Sequence, residues 1–289
     1  MSNTAGEKKK WSKKKKITVI VLSVLFALIV LVVIAGVSAL NWYCKTDDYN
    51  VFSTVHNVTL IAHRGMRSVA PENTTAAFKK AGENKYWGAE CDIYRTADGV
   101  WIVSHDENTY RMMDKTASVE ESTYEELLEQ KVDNGSNIDT YTDLKICSLE
   151  EYLQICKEYS MVAVIELKGK NNTEYYNEII DMVKKYEVEA VYISFHIENI
   201  KAIRELTDDT VYFLTQTIKE EDIELAKSIE NCGIDFNANK KKNFTSGMLD
   251  KCKEENIALG AWTVNDADLL DKLIENEVTL ITTDCIKGI

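Results

Sequence analysis

The sequence predicts an α/β fold: a closed (β/α)8 TIM barrel with a hairpin and a small insertion after its second strand, preceded by one N-terminal transmembrane helix. Three observations predict it. Eight short β-rich runs alternate with amphipathic helical stretches, the pattern of parallel βαβ units. Together they occupy about 230 residues, near the usual size for eight such units. Finally, Ile17 to Leu40 forms 24 residues without a charge, long enough to cross a bilayer. At 289 residues, 45% hydrophobic and 28% charged, the chain suits one medium domain plus this extra segment.

The expected organisation starts with a basic tail at residues 1–16 and a membrane span at 17–40. A linker follows at 41–56, and the barrel at 57–289. The tail carries Lys8, Lys9, Lys10, Lys13, Lys14, Lys15 and Lys16 against Glu7. Lysine clusters stay on the cytoplasmic side, so the remainder of the chain is expected outside the cytoplasm, at the cell membrane. Val37-Ser38-Ala39 resembles a signal-peptide cleavage site, but a signal core is usually only about 7 to 15 residues, so the span is read as an uncleaved anchor. The net charge is −13, and the tail contributes +6, which leaves −19 for residues 17–289. An ectodomain this acidic argues against nucleic acid as a partner, because phosphate backbones need a basic face. Any phosphate in its substrate must be held by a few local cations or a metal.

The strand runs are 59–65, 87–93, 161–169, 190–196, 210–216, 233–239, 258–264 and 279–284. Helical patterns lie between them, several opening on a capping residue such as Thr74, Ser148 or Asp266. Residues 101–106 are left over and fit the returning arm of a hairpin on strand two. Residues 107–147 are then an insertion with little periodicity, and long loops of that kind are often lids. Seven scattered cysteines show no CxxC pair and no zinc spacing, and Cys91 should pack in the core.

In ECDIYRTADGVWIVSHD, residues 90–106, an Asp-Gly turn signal stands between alternating apolar residues. If Asp98 and Gly99 are the two loop residues, Ala97 pairs with Val100 and Asp92 faces His105. Barrel active sites gather at the C-terminal ends of the strands. Those ends read His63-Arg64-Gly65 on strand one, Glu90 and Asp92 on strand two, and Glu166 and Lys168 on strand three. Strand seven ends at Trp262 and strand eight at Asp284. Residues two apart share a face, so Glu90 pairs with Asp92 and Glu166 with Lys168. Acids, cations and two of the four histidines therefore converge on one rim.

IAHRGMRSVAPENTTAAF, ECDIYRTADGVWIVSHD, IELK and AWTVN, in that order, resemble the glycerophosphodiester phosphodiesterase family, over about residues 57–285. The resemblance implies a β/α barrel with a small insertion after strand two. It implies that His63 and His105 are the acid/base pair and that Glu90, Asp92 and Glu166 hold one divalent cation, Ca2+ or Mg2+. Three carboxylates without thiolates suit a hard cation on independent grounds. Arg64 and Lys168 are the implied phosphate contacts, Glu72 and Asn73 the implied organisers of their loop, and Trp262 an implied pocket wall. His196 and His56 are read as a pocket-edge residue at most and a surface residue.

The reaction implied is hydrolysis of a phosphodiester with a neighbouring hydroxyl, giving glycerol 3-phosphate and a free alcohol. Expected substrates are small glycerophosphodiesters or an envelope glycerophosphate polymer. Two other readings remain: a phospholipase-type lyase on intact lipid giving a cyclic phosphate, favoured by an apolar loop in 107–147, and a non-catalytic sensor, favoured by degenerate site residues. The 107–147 stretch is polar and acidic, and no site residue is degenerate. Relatives usually continue into a closing helix, where this sequence has five residues after Asp284. Residues 45–56 are expected to cover that gap, or else the barrel is partly open there.

Overall fold

The computed structural model describes residues 12–45, 49–55, 57–169 and 172–288. Residues 1–11 of the expected basic tail, and His56, lie outside them. The chain divides into two compact units, Met1–Lys45 and Thr46–Ile289. The first contains one 32-residue helix, Lys13–Cys44, whose side chain of Ser12 caps its first turn. Its best 18-residue window has a hydropathy of 3.4, so by length and composition it is a candidate membrane span. The helix outlasts the uncharged run at both ends, because the flanking lysines and Asn41–Cys44 continue its hydrogen bonding.

The second unit is a closed barrel of eight parallel strands: β1 Thr59–Ala62, β2 Gly88–Arg95, β3 Val162–Leu167, β4 Ala190–Ser194, β5 Val211–Thr215, β6 Cys232–Asn237, β7 Leu259–Trp262 and β8 Leu280–Thr283. Closure is complete. β1 pairs with β8 through Thr59↔Leu280 and with β2 through Ile61↔Gly88. Helices cover the outside, and Thr74, Ser148 and Asp266 accept the capping hydrogen bonds expected of them. On β2, Ala89, Cys91 and Ile93 face this outer layer, where Phe78 and Tyr152 meet edge-on at 4.8 Å. Burying a ring of that size stabilises by about 1.5–3 kcal/mol. The alternate residues Gly88, Glu90 and Asp92 therefore face the barrel interior, with Ile61, Val164, Ile193 and Leu214 beneath the mouth. All seven cysteines are free thiols.

One detail differs from the expectations. The hairpin turns one residue differently: Ile93 pairs with Val103 and Arg95 with Trp101. Its loop has three residues, closed by Thr96 N donating to Val100 O at 2.9 Å and by Gly99 at φ 89°. Asp-Gly serves this turn as well as the two-residue one, because the αL position falls on glycine in both. Asp92 consequently opposes Ser104, whose N donates to Asp92 O at 2.9 Å. His105 reaches the site from the loop beyond the strand, not from a cross-strand pair. Of the two expectations for the end of the barrel, the first holds. Residues Phe52–Thr54 form a short strand parallel to Ile286–Gly288, so this segment covers the end of β8.

The insertion is docked. Its own small core contains Met113, Val119, Leu127 and Val132, packed on Tyr94 and Ile102 of the hairpin. It ends in Cys147–Ser148, a third strand antiparallel to Trp101–Val103.

Candidate active site

After β1 the chain turns sharply at Arg64, whose φ of 55° is unusual for a side-chain-bearing residue. Its surroundings over-determine that conformation. Arg64 N donates to Glu90 Oε2 at 2.8 Å, its Nη1 to Glu72 Oε1 at 2.8 Å, and its Nε lies 3.5 Å from Asp92 Oδ2. Asn73, also at φ 55°, donates from Nδ2 to Asp92 Oδ2 at 2.9 Å.

Glu90, Asp92 and Glu166 bring carboxylate oxygens within 4.8 Å of one another, and all three are buried. Lys168 Nζ lies 2.9 Å from Glu166 Oε1 and 3.3 Å from Asp92 Oδ1. The three acids respond differently to this crowding. Burial, then the charges of Asp92 and Glu166, push Glu90 well above the usual carboxylate range. Burial and the Asp92 charge push Glu166 up to about 7. Burial would raise Asp92 too, but Lys168, His105 and Arg64 outweigh it and hold it well below its ordinary value. A site in which two of three acids are pushed upward is short of positive charge. Oxygen donors only, buried and unable to shed their mutual repulsion, fit a hard divalent cation.

The two histidines are built alike. His63 Nδ1 hydrogen-bonds Asp284 Oδ1 at 2.7 Å, and His105 Nδ1 hydrogen-bonds Asp106 Oδ1 at 2.8 Å. Each leaves Nε2 free for chemistry. Burial lowers the His63 pKa, with Arg64 and Arg67 adding to the effect against the pull of Asp284, so its imidazole is neutral at pH 7. Behind each carboxylate stands an arginine: Arg67 Nη1 at 3.7 Å from Asp284, and Arg111 Nε at 2.7 Å from Asp106. Both arginines then meet on Glu72, Arg67 at Oε2 (2.9 Å) and Arg111 at Oε1 (2.6 Å). One continuous chain of ion pairs thus joins the two imidazoles.

His63, Arg64, Glu90, His105, Glu166, Lys168 and Trp262 line one cavity of about 230 Å³, with Asp92 behind Glu90 and Lys168. All eight residues expected at the site are therefore brought together. His196 is not among the lining residues and stands at the start of the helix Ile197–Arg204. Sequence reasoning missed Arg67, Arg111 and Asp106 as partners of the dyads, and Asp235 in the cavity wall. Asp235 was visible in principle. It stands at an inward position of β6, beside Leu214 and Gly260 and two residues before Asn237. Trp262 Nε1 donates to its backbone oxygen at 3.2 Å.

Residues 63–287 match the model of the glycerophosphoryl diester phosphodiesterase family. Human glycerophosphodiester phosphodiesterase 1 is 27% identical over 248 residues, 73% of each chain. A glycerophosphodiester phosphodiesterase of Caldanaerobacter subterraneus is 27% identical over 236 residues, covering 78% of this chain and 93% of its own. Among solved structures, a Parabacteroides distasonis glycerophosphodiester phosphodiesterase superposes with a TM-score of 0.66 at 26% identity, over 80% of this chain and 94% of its own. An Oleispira antarctica phosphodiesterase, solved with its product sn-glycerol-3-phosphate, has the same fold at a TM-score of 0.72 and 23% identity, over 78% and 92%. The chain belongs to the glycerophosphoryl diester phosphodiesterase family and is, with it, a phosphoric diester hydrolase.

Proposed function

We propose that this chain hydrolyses glycerophosphodiesters to glycerol 3-phosphate and an alcohol, with His63 and His105 as its acid/base pair and a divalent cation, Ca2+ or Mg2+, held by Glu90, Asp92 and Glu166. The observation that supports this best is the convergence of two carboxylate-paired imidazoles, three buried acids and two cations on one cavity. When bound, the cation supplies Lewis-acid charge for the phosphoryl oxygens. Arg64 and Lys168 orient the phosphate from the same side.

His63, neutral with Nδ1–H directed at Asp284, offers Nε2 as a base. It takes the proton of the substrate's 2-hydroxyl as that oxygen bonds to phosphorus. The bond from phosphorus to the alcohol oxygen breaks, and His105 gives that oxygen its proton. In the second step water attacks the cyclic phosphate, His105 takes the water's proton, and His63 returns its own to the 2-oxygen. Atoms and charges close over the two steps.

The proposed domain plan is a basic tail at 1–16, a membrane span at 17–40, a linker at 41–56 and a catalytic barrel at 57–289 outside the cytoplasm. The lysine cluster before the apolar helix supports that orientation. The substrates that suit it are deacylated phospholipid head groups or glycerophosphate chains of an envelope.

The test uses the full chain in detergent, with release of glycerol 3-phosphate measured before and after chelation and after return of Ca2+ or Mg2+. Loss on chelation and recovery on return is the expected result. Undiminished turnover in chelator overturns the cation assignment.

A further inference from the structure

We propose that the half of the cavity facing the three acids is a subsite for an ammonium group on the alcohol portion of the substrate, selected by Asp235 against the faces of Phe195 and Trp262. This rests on the phosphodiesterase reading above and extends it to the head group.

The cavity has two unlike halves. Arg64, Lys168 and both histidines stand on the side of β1–β3, where a phosphate is held. The opposite wall, from β4–β7, presents Ile193, Phe195, Leu214, Gln216, Asp235 and Trp262, with no lysine or arginine among the lining residues. Asp235 is 4% exposed, and its Oδ1 has no hydrogen-bond partner. A buried, unpartnered carboxyl oxygen in a binding cavity is an unfavourable arrangement that a ligand donor relieves. Space for the group is provided deliberately. A Cβ on Gly260 would stand 3.0 Å from Asp235 Cγ and Oδ1.

Two ligand chemistries offer a donor here, a hydroxyl and an ammonium. The surroundings favour the second. The Asp235 carboxyl is buried, and no lysine or arginine lines this wall, so the wall lacks positive charge as well as a donor. An ammonium supplies both, whereas a hydroxyl supplies one. The aromatic pair adds to the selection. Phe195 is 38% exposed and meets Trp262 at 5.5 Å and 87°, so the two ring faces form a corner. Cations are attracted to such faces, and anions are not.

The experiment compares kcat/KM for glycerophosphoethanolamine with that for glycerophosphoglycerol, whose alcohol portion carries no charge, in the full chain and in Asp235→Asn. The wild type is expected to favour the ammonium diester by at least about tenfold, and Asp235→Asn to lower that ratio by about the same factor. Gly260→Ala, which displaces the carboxyl while keeping its charge, is expected to lower the ratio too, and it decides the matter should Asp235→Asn fail to fold. A wild type with no preference, or a ratio unchanged in the variants, overturns the subsite while the phosphodiesterase reading stands. Equal losses for both diesters point to a glycerol hydroxyl as the partner and likewise overturn it. If no diester is turned over, the phosphodiesterase reading fails. Calorimetric binding of phosphoethanolamine against glycerol 3-phosphate then decides the subsite, with weaker phosphoethanolamine binding in Asp235→Asn expected and equal binding overturning it.

Discussion

Glu72 accepts a hydrogen bond from Arg111 at 2.6 Å, across 39 residues of sequence, and so ties the loop after β1 to the insertion after β2. The same carboxylate takes Arg64 and Arg67, three guanidinium groups on one acid whose side chain is 4% exposed. Burial opposes ionisation, but Arg64, Arg67 and Arg111 outweigh it and hold Glu72 well below the usual carboxylate range. Glu72→Gln keeps the shape and removes the charge that the three guanidinium groups share, leaving each with one carboxylate partner fewer. Breaking a buried pair in this way is expected to destabilise by about 3–5 kcal/mol in denaturant unfolding. Because the folded pKa is depressed, the carboxylate's contribution is complete above the ordinary glutamate value of about 4.3 and is lost only as pH falls toward the folded value. The difference from wild type should therefore be constant from about pH 5 to 8. A change under about 0.5 kcal/mol would mean that Glu72 is not the hub described.

The proposed base depends on which nitrogen of His63 carries the proton. Asp284 Oδ1 accepts from Nδ1 at 2.7 Å, and Asn265 Nδ2 donates to Asp284 Oδ2 at 2.6 Å, which fixes the carboxylate's orientation. In Asp284→Asn an amide N–H can face Nδ1 and force the proton onto Nε2, the nitrogen needed as acceptor. Turnover is expected to fall by roughly 10²- to 10⁴-fold with KM little changed. His63→Ala and His105→Ala should each abolish turnover while circular dichroism and the unfolding midpoint stay near wild type. Near-normal kcat in either alanine variant would remove that histidine from the mechanism.

Much of this arrangement was legible before any coordinates, and the reasons are specific. Glu90 and Asp92 share a face because a strand has a period of two, so placing β2 placed both acids. Thr74, Ser148 and Asp266 announced helix starts because their side chains satisfy local backbone donors. The hairpin register was not legible, since Asp98-Gly99 fits a two-residue and a three-residue loop equally well. Arg67 and Arg111 were not legible either. Arg111 reaches their partner Glu72 only after the insertion folds back, and Arg67 reaches it through the irregular turn of the loop after β1; no local pattern records either. The strand Phe52–Thr54 has three residues and finds its partner at the far end of the chain.

The return of the insertion depends on one close approach. Gly135 has φ 123°, and a Cβ there would lie 2.6 Å from Pro71 Cα. Nearby, Asn137 Nδ2 and the Tyr141 hydroxyl both donate to Val69 O, at 3.1 and 3.3 Å. Gly135→Ala adds backbone strain and a clash at this seam. It is expected to destabilise by about 1–3 kcal/mol and to make residues 107–147 more susceptible to limited proteolysis. Because Arg111 sits in the displaced segment and orients Asp106, kcat should fall as well. Unchanged proteolysis together with unchanged kcat would show that the seam tolerates the methyl group.

Cation binding should be readable as a pH dependence of stability, in a window set by the acids. Glu90 lies well above its ordinary range, Glu166 at about 7 and Asp235 at about 8 in the cation-free protein. Their folded pKa values exceed the unfolded ones, so the folded state holds the extra protons. Stability then declines as pH rises through those values. His63 acts in the opposite sense, since its folded pKa is lowered. Its effect is confined below the ordinary histidine value of about 6.5, so it drops out above pH 7. The decline runs from the ordinary carboxylate range up to the folded values, so above the His63 window the melting temperature in chelator is expected to fall between about pH 6.5 and 8, with no further fall from Glu166 or Asp235 beyond it. A divalent cation takes the place of the protons on Glu90 and Glu166, so its stabilising effect should grow as pH rises toward their folded values, by about 1.4 kcal/mol for each pH unit per group still holding its proton. Glu166→Gln removes one of these groups and should reduce both the decline and the cation's effect. A cation-induced shift in melting temperature that is equal at pH 5 and pH 7.5 would separate cation binding from Glu90 and Glu166.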